Sequence, residues 1–407
     1  MARADAPPNN RPTDGPHLLM DPNLHVIFGV TLMAVLGVAS ITPALPVVAT
    51  AFERSPREVG WLVAAFTLPG VGLTPVLGVL GDRIGRKRVL VPSLLLFAVA
   101  GTACALSQRF EVLVALRFLQ GVGAASLGVL NVTLIGDLYR GARRPLAFGY
   151  NATVLSVGTA LYPAIGGALT MLGWQYPFLL PMLGVAVAAL VLWVLDSRHT
   201  PASAPLQDYF RRALRSAMQP VMLGLFLAGL IIFVVMYGAY LTYLPFLLHR
   251  DFNASPVLIG VTLASASVTT GLVASQLGRL ANRYTERRLI LFGFGCYILT
   301  MLWIPAAGSL ALLFGAVLLQ GAANGITIPS QLSALTAQAP EEHRAALVAV
   351  NGALFRLGQT LGPVLAGVVL QWRGIGAVFT GTAMLAVVTW VVLLALLRPG
   401  RWTPQPS

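Results

Sequence analysis

The feature that most constrains this chain is a series of twelve apolar stretches, each about the length of a helix that crosses a bilayer. Charged residues are only 10% of the 407-residue sequence, whereas soluble domains carry about a quarter. Backbone polar groups inside a bilayer must be satisfied within the protein, and these runs lack the alternation of barrel strands. We therefore predict an all-α integral membrane protein. The predicted spans are 24–49, 58–80, 89–107, 111–138, 146–171, 175–195, 219–248, 256–279, 288–307, 309–337, 345–371 and 375–397.

The basic residues predict how the chain lies in the membrane. With an even number of spans both chain ends share one side, and the segments on that side hold 20 of the 27 Lys and Arg residues. The positive-inside rule then places both termini in the cytoplasm of a multi-pass protein of the plasma (inner) membrane. Because topology accounts for the net charge of +13, we expect a lipid bilayer and no nucleic acid as partner.

The sequence repeats itself at a shift of 200 residues. Polar residues, glycines and prolines recur at this spacing, including Gln120/Gln320, Arg144/Arg344, Asn151/Asn351 and Pro163/Pro363. Two halves with an even number of helices each are parallel repeats, which predicts two six-helix bundles related by pseudo-symmetry. The expected organisation is a disordered cytoplasmic tail (1–23), a first bundle (24–195), a cytoplasmic linker (196–218), a second bundle (219–397) and a cytoplasmic tail (398–407).

One loop carries the most specific motif. Residues 78–88, Gly-Val-Leu-Gly-Asp-Arg-Ile-Gly-Arg-Lys-Arg, resemble the signature between helices 2 and 3 of the major facilitator superfamily. The resemblance implies that superfamily's twelve-helix fold, and a cytoplasmic gate or charge relay made of Asp82, Arg83, Arg86 and Asp137. The alternative is that these charges only fix topology. The repeated loop has Asn282 where the first has an acid, so any gate is expected to be asymmetric.

Weaker motifs resemble those of the twelve-helix drug:proton antiporters. The pair Pro43 and Pro46 resembles the first-helix motif of that branch, and residues 117–124 resemble its fourth-helix motif. The glycines and prolines of helices 5 and 11 resemble its helix-bending antiporter motif. These are Gly158, Pro163, Gly167, Gly358, Gly362 and Pro363.

Two arginines lie inside predicted spans, where an ionisable residue is a functional candidate by default. We expect Arg117, Glu111 and Arg356 to carry coupling or substrate charge. An alternative for Arg117 is a location near the external end of its helix, paired with Glu111.

The resemblance implies a cavity lined by helices 1, 4, 7 and 10 and backed by 2, 5, 8 and 11. Helical spacing places Phe233, Tyr237 and Tyr240 on one face of helix 7, as an apolar-aromatic wall. The alternative is that these residues serve in packing or in an interfacial belt. The polar candidates for the cavity lining are Gln120, Asn131, Asn151, Gln320, Asn324 and Asn351.

These patterns favour a secondary active transporter that works by alternating access. The leading hypothesis is proton-coupled efflux of small amphipathic or drug-like compounds. The alternative is a carrier of an anionic metabolite or lipid-like anion, in which Arg117 and Arg356 bind the charge. Catalytic and metal-binding motifs are absent from the sequence, so we expect no enzyme activity and no cofactor beyond the transmembrane proton gradient, in a functional monomer.

Overall fold

The fold is helical throughout the part of the chain that the computed structural model describes, residues 18–195, 218–340 and 344–398. Within those residues, twelve helices are long and apolar enough to cross a membrane, in agreement with the twelve predicted spans. They are α1 (Pro22–Ala51), α2 (Pro56–Ile84), α3 (Arg86–Leu106), α4 (Phe110–Leu138), α5 (Arg143–Thr170), α6 (Tyr176–Val194), α7 (Pro220–Phe252), α8 (Pro256–Ser275), α9 (Glu286–Ala306), α10 (Leu310–Gln338), α11 (Ala346–Arg373) and α12 (Ile375–Leu396).

The predicted tails and linker fall almost entirely outside the described residues, but residues 18–23 do not. Leu18 is buried, and Asp21 caps α1 by accepting a hydrogen bond from the backbone N–H of Asn23 at 2.9 Å. The other carboxylate oxygen of Asp21 accepts a hydrogen bond from the Tyr139 hydroxyl at 2.8 Å. Burial, together with this carboxylate, raises the pKa of Tyr139 above its ordinary value. The predicted disordered tail was therefore too long at its inner end, because these residues pack onto α4.

Local structure follows the 200-residue repeat at the starts of α2 and α8. Ser55 and Ser255 each accept a hydrogen bond from the backbone N–H three residues later, which satisfies a free donor of the first turn. Ser55 also forms a capping box with Glu58. Two residues before each cap, Glu53 and Asn253 have φ values of 52° and 48°. The same chain reversal therefore begins both helices.

Packing inside the two bundles repeats as well. In the first bundle α4 packs on α2 and α3, and in the second α10 packs on α8 and α9. A Cβ atom at Gly121 would lie 2.1 Å from the carbonyl oxygen of Phe66, and one at Gly321 would lie 2.2 Å from that of Ala266. Both glycines are therefore required for backbone-to-backbone contact at equivalent crossings, as small residues often are between membrane helices.

The two bundles contact each other mainly through two helix pairs, α5 with α8 and α2 with α11. We call the side where α1 begins and α12 ends the terminal face, and the opposite side the distal face. Near the distal face, a Cβ at Gly167 would lie 2.3 Å from the Pro256 carbonyl oxygen, and one at Gly260 the same distance from that of Pro163. The α5–α8 crossing is thus closed there by direct backbone contact.

The α2–α11 crossing is closed at the distal face by a side chain from α7. The Tyr243 hydroxyl lies between two glycines, where a Cβ at Gly60 would be 2.8 Å away and one at Gly367 2.7 Å away. Further along, the hydroxyls of Thr67 and Thr360 are hydrogen-bonded at 2.9 Å.

Toward the terminal face the bundles separate. Ser156, at the middle of α5, is exposed. A Cβ at Gly271 of α8 would be in ordinary contact with the Ser156 Cβ at 3.9 Å, whereas one at Gly72 of α2, Gly149 of α5 or Gly352 of α11 would have nothing within 4 Å. The structure is therefore closed at the distal face, and a cleft between the bundles widens toward the terminal face.

Candidate functional site: the cleft between the two bundles

Arg356 is the charged side chain that reaches from one bundle toward the other near mid-membrane. It extends from α11 across α2, where a Cβ at Gly70 would lie 3.1 Å from its Cδ and 3.3 Å from its Nε. Its Nη2 would be 3.9 Å from a Cβ at Gly128 of α4. The absence of side chains at these two glycines leaves room for the guanidinium, which donates a hydrogen bond to Gln359 Oε1 at 3.2 Å.

An aromatic cluster joins α7 to α11 at the helical turn of α11 that carries Arg356. The ring centroids of Phe233 and Phe355 are 4.3 Å apart, and those of Phe233 and Tyr237 are 6.0 Å apart. All three rings are half-buried. The predicted helix-7 wall thus exists at Phe233 and Tyr237. The sequence analysis did not identify Phe355 or Gln359 as site residues. Phe355 directly precedes Arg356 and Gln359 follows it by about one helical turn, so their positions in the sequence could have indicated them.

Tyr240 does not belong to this wall, contrary to the prediction. Residues Met236–Tyr243 form a π-helical segment of α7, whose wider turns displace later side chains from α-helical spacing. Tyr240 is buried, and its hydroxyl lies 3.5 Å from the Leu263 carbonyl oxygen of α8. A prediction based on spacings of three and four residues could not anticipate that displacement.

Arg117 is enclosed within the first bundle and does not line the cleft. It is fully buried, its Nε donates to the Leu62 carbonyl oxygen at 3.2 Å, and its Nη1 donates to Gln120 Oε1 at 2.6 Å. The guanidinium carbon lies 4.3 Å from the centre of the Phe66 ring, a cation–π contact. Neighbouring side chains thus occlude Arg117 from the cleft in this conformation, and its predicted part in coupling or substrate charge stays a prediction.

Glu111 is not the partner of Arg117 either. Its carboxylate accepts a hydrogen bond from Arg54 Nη2 at 2.7 Å at the distal face, and Arg109 lies 3.8 Å away. Arg54 also contacts Glu58 at 3.2 Å. Glu111 thus belongs to an exposed charge cluster at the end of α4.

Most of the predicted cavity-lining amides are buried inside the bundles and hold helices together. Asn131 donates to Thr31 Oγ1 at 2.5 Å, and Thr31 donates to half-buried Asn151 at 2.5 Å, which ties α1, α4 and α5. At the equivalent positions, Gln331 donates to Asn351 at 2.9 Å and to the Leu225 carbonyl oxygen at 2.8 Å.

The remaining amides have similar partners. Gln120 binds Arg117, while Gln320 and Tyr297 both donate to Asn324, at 3.4 Å and 2.8 Å. The prediction that Gln120, Asn131, Gln320, Asn324 and Asn351 line the cavity is thus wrong, since each is at most 6% exposed. They hydrogen-bond to neighbouring side chains within each bundle, although among the described residues Gln120 Nε2, Asn131 Oδ1 and Gln320 Oε1 are buried without a hydrogen-bond partner.

Three of the four residues of the predicted charge cluster at the terminal face are in contact, while its role as a gate or charge relay stays a prediction. Arg86, at the start of α3, donates to Asp82 of α2 at 2.9 Å and to Asp137 of α4 at 2.5 Å. Its own side chain is 16% exposed, while those of Asp82 and Asp137 are 39% and 54% exposed. The cluster joins three helices of the first bundle, and Arg83 next to it is exposed.

The second bundle has no copy of that cluster among its described residues. Asn282 replaces the acid, and Glu286 accepts a hydrogen bond from Ser333 at 3.4 Å. One function of the loop is nevertheless shared. Lys87 donates to the Leu192 and Leu195 carbonyl oxygens at the end of α6, and Arg287 donates to the Leu397 carbonyl oxygen at the end of α12. A cation at a helix C-terminus is favourable, so both loops also anchor the last helix of their bundle.

The glycines of the predicted helix-bending motif lie where two helices come close together. Pro163 and Pro363 lie inside α5 and α11. A Cβ at Gly158 would be 3.0 Å from Leu32 of α1, whereas one at Gly358 would be 2.4 Å from the Leu230 carbonyl oxygen and one at Gly362 2.7 Å from the Gly238 nitrogen of α7. These glycines therefore pack helices inside each bundle, while Gly167 packs the two bundles together.

The comparison with known families agrees with this architecture. Residues 27–253 and 239–407 match the family described as Major Facilitator Superfamily. The chain belongs to the major facilitator superfamily. It is thus a multi-pass membrane transporter and not an enzyme, with two bundles around a central cleft.

Individual relatives are distant. The chain is 27% identical over 268 residues to "Multidrug resistance protein 2" of Bacillus subtilis, a match that covers 63% of this chain and 66% of that protein. It is 28% identical to the "3-(3-hydroxy-phenyl)propionate transporter" of Escherichia coli, covering 84% and 85% of the two chains. Matches to two further relatives span only 31% and 27% of their lengths.

Solved structures share the fold. A bacterial homologue of the human lysosomal transporter Spinster, in an inward-facing and occupied conformation, superposes with a TM-score of 0.77 at 17% identity. The match covers 98% of this chain and 100% of the other. At this identity the likeness concerns the fold alone.

Proposed function

We propose that this transporter exports small amphipathic compounds by alternating access and is driven by the transmembrane proton gradient. The observation that carries the proposal is the cleft itself, which is closed at the distal face and bounded by half-buried aromatic rings from α7 and α11. Aromatic surfaces accept apolar cargo of varied shape without fixed polar contacts. The name of the Bacillus relative, a multidrug resistance protein, supports the same class.

In this proposal the direction of transport follows from the orientation of the chain in the membrane. The excess of basic residues on the side of the chain ends supports a cytoplasmic terminal face in the plasma (inner) membrane. The cleft would then face the cytoplasm in this conformation and could load cargo there. Because both walls of the cleft come from one chain, we propose that the functional unit is a monomer.

Proton coupling is assigned to the terminal-face carboxylates. In the part of the chain that the structure describes, no Asp or Glu adjoins the aromatic rings, whereas Asp82 and Asp137 share Arg86 at the junction of α2, α3 and α4. Protonation of either carboxylate would remove one of the two contacts that hold Arg86. We propose that this change loosens the α2–α3 turn and permits rearrangement of the bundles.

The test is transport by the purified chain in proteoliposomes. Ethidium and an aromatic anion, naphthalene-2-sulfonate, are supplied with and without an imposed pH gradient. We expect gradient-dependent movement of at least one probe, and loss of the response to pH in Asp137→Asn and Asp82→Asn. Asp251→Asn is the matched control, since Asp251 pairs with its neighbour Arg250 at the distal face. Wild-type pH dependence in both variants would refute the coupling role.

A further inference from the structure

The cleft contains a cation that the protein itself does not neutralise. Among the described residues, no carboxylate forms an ion pair with Arg356, and its hydrogen bond to a protein side chain goes to the neutral amide of Gln359. A guanidinium offers five N–H donors. A charge inside the membrane without a partner is expensive and marks a functional position.

The position of Arg356 is also exceptional within the repeat. Its counterpart one repeat earlier is Ser156, so only the second bundle contributes a charge here. Gly70 and Gly128 on the facing helices leave the space through which its side chain extends. The guanidinium is therefore located between the bundles, where carriers built from such repeats bind their cargo.

The second intramembrane arginine, Arg117, has a different environment. Arg117 is fully buried, with two hydrogen bonds and a cation–π contact inside one bundle. Arg356 is half-buried, and its guanidinium extends toward the other bundle. Of the two arginines, only Arg356 has donors that are available to a ligand in the cleft.

The side chains near Arg356 indicate the chemical character of the rest of the ligand. Phe355, the residue before Arg356 on α11, stacks on Phe233 of α7, whose ring lies near that of Tyr237. Tyr237 is close enough to the guanidinium to interact with it electrostatically. An anionic group bound by Arg356 would place an attached aromatic or apolar body against these rings. A planar guanidinium binds carboxylate or sulfonate oxygens with two parallel hydrogen bonds.

From this geometry we infer that the cargo of the cleft is an amphipathic organic anion and that Arg356 is its counter-ion. The inference rests on the proposed function and narrows it from amphipathic compounds in general to anionic ones. Phe233, Phe355 and Tyr237 then hold the apolar body, and the hydrogen bond from Arg356 to Gln359 orients the guanidinium.

The experiment compares an anion and a cation on the same variants of the full chain. Naphthalene-2-sulfonate and ethidium are used for binding by titration calorimetry and for transport in proteoliposomes. Arg356→Gln should weaken binding and transport of the anion by a factor of about 30 or more, as expected when one partner of a buried charge pair is removed. Ethidium should be affected far less, and Arg356→Lys should retain part of the anion activity.

Arg373→Gln is the matched control, because Arg373 is an exposed arginine at the distal end of the same helix, and it should behave as wild type. Three results would overturn the inference: wild-type anion binding in Arg356→Gln, an equal loss of both probes, or no anion binding by the wild type. Ethidium transport without anion binding would leave the proposed function standing. Arg356-dependent anion binding without movement of any probe would instead refute the transport proposal.

Discussion

The Tyr243 hydroxyl of α7 donates a hydrogen bond to the carbonyl oxygen of Pro363 on α11, 3.0 Å away. Both residues belong to the second bundle, yet the bond fixes the hydroxyl beside Gly60 of the first bundle and Gly367 of α11. The corresponding residue of the first half is Pro43, which has no hydroxyl. The α2–α11 closure therefore depends on one oriented side chain, whereas the α5–α8 closure depends on backbone contact.

Tyr243→Phe should weaken closure of the distal face. Without the hydroxyl, the ring is no longer fixed by Pro363 and no longer fills the space beside Gly60 of the first bundle. A loss of about 1 kcal/mol from the closed form is a factor of about 5 in the equilibrium between closed and open forms. A cysteine at position 360, buried next to Thr67, reports on this equilibrium. In a background without Cys104 and Cys296, its labelling by an impermeant maleimide from the distal side should accelerate.

Tyr240→Phe is the control for that measurement. The Tyr240 hydroxyl faces Leu263 inside the same bundle, so its removal should leave labelling at position 360 unchanged. Equal labelling rates in Tyr243→Phe and wild type would contradict the role assigned to Tyr243.

Gly167→Ala should prevent closure of the distal face more strongly. Its new Cβ would lie 2.3 Å from a backbone oxygen of Pro256, and backbone cannot move aside as a flexible side chain can. We expect rapid distal-side labelling at position 360 and reduced transport. Gly376→Ala, where nothing lies within 4 Å of the new Cβ, should match wild type. A Gly167→Ala protein that labels slowly would show that the bundles do not meet here.

Arg117→Met should reduce stability without altering selectivity. The change removes the hydrogen bonds to Leu62 and Gln120 and the contact with Phe66, which we expect to cost about 2–3 kcal/mol. Thermal unfolding in detergent measures the loss. The ratio of anion to cation transport should stay at the wild-type value, in contrast to Arg356→Met. A changed ratio in Arg117→Met would mean that Arg117 reaches the cargo.

The twelve helices and the two bundles could be predicted from the sequence because two strong signals, span length and the internal repeat, mark them. Span length reflects membrane thickness, and the 200-residue shift marks equivalent contacts such as Gly121–Phe66 and Gly321–Ala266. The Asp82–Arg86–Asp137 cluster was also predictable, since charges at helix ends have few available partners.

The lining of the cleft was harder to predict for a physical reason. Lipid is as apolar as a helix interface, so a membrane helix lacks the polar face that shows which side of a soluble helix is exposed. Asn131 and Asn351 could be assigned to a helix but not to a face of it, and both turned out to lie inside the bundles. The π-helical turn of α7, which displaces Tyr240, left no mark on the sequence pattern.

The central claim is that the two bundles rock so that the cleft at Arg356 opens to one face at a time. Double electron–electron resonance can test it with two label pairs at equivalent repeat positions, all exposed: Ala51 and Asp251 at the distal face, and Val132 and Leu332 toward the terminal face. The structure corresponds to a short distal and a long terminal distance. We predict that naphthalene-2-sulfonate or a pH change populates a second state with the distal distance longer and the terminal distance shorter. Distances at both faces that stay fixed, or that lengthen together, would contradict the account.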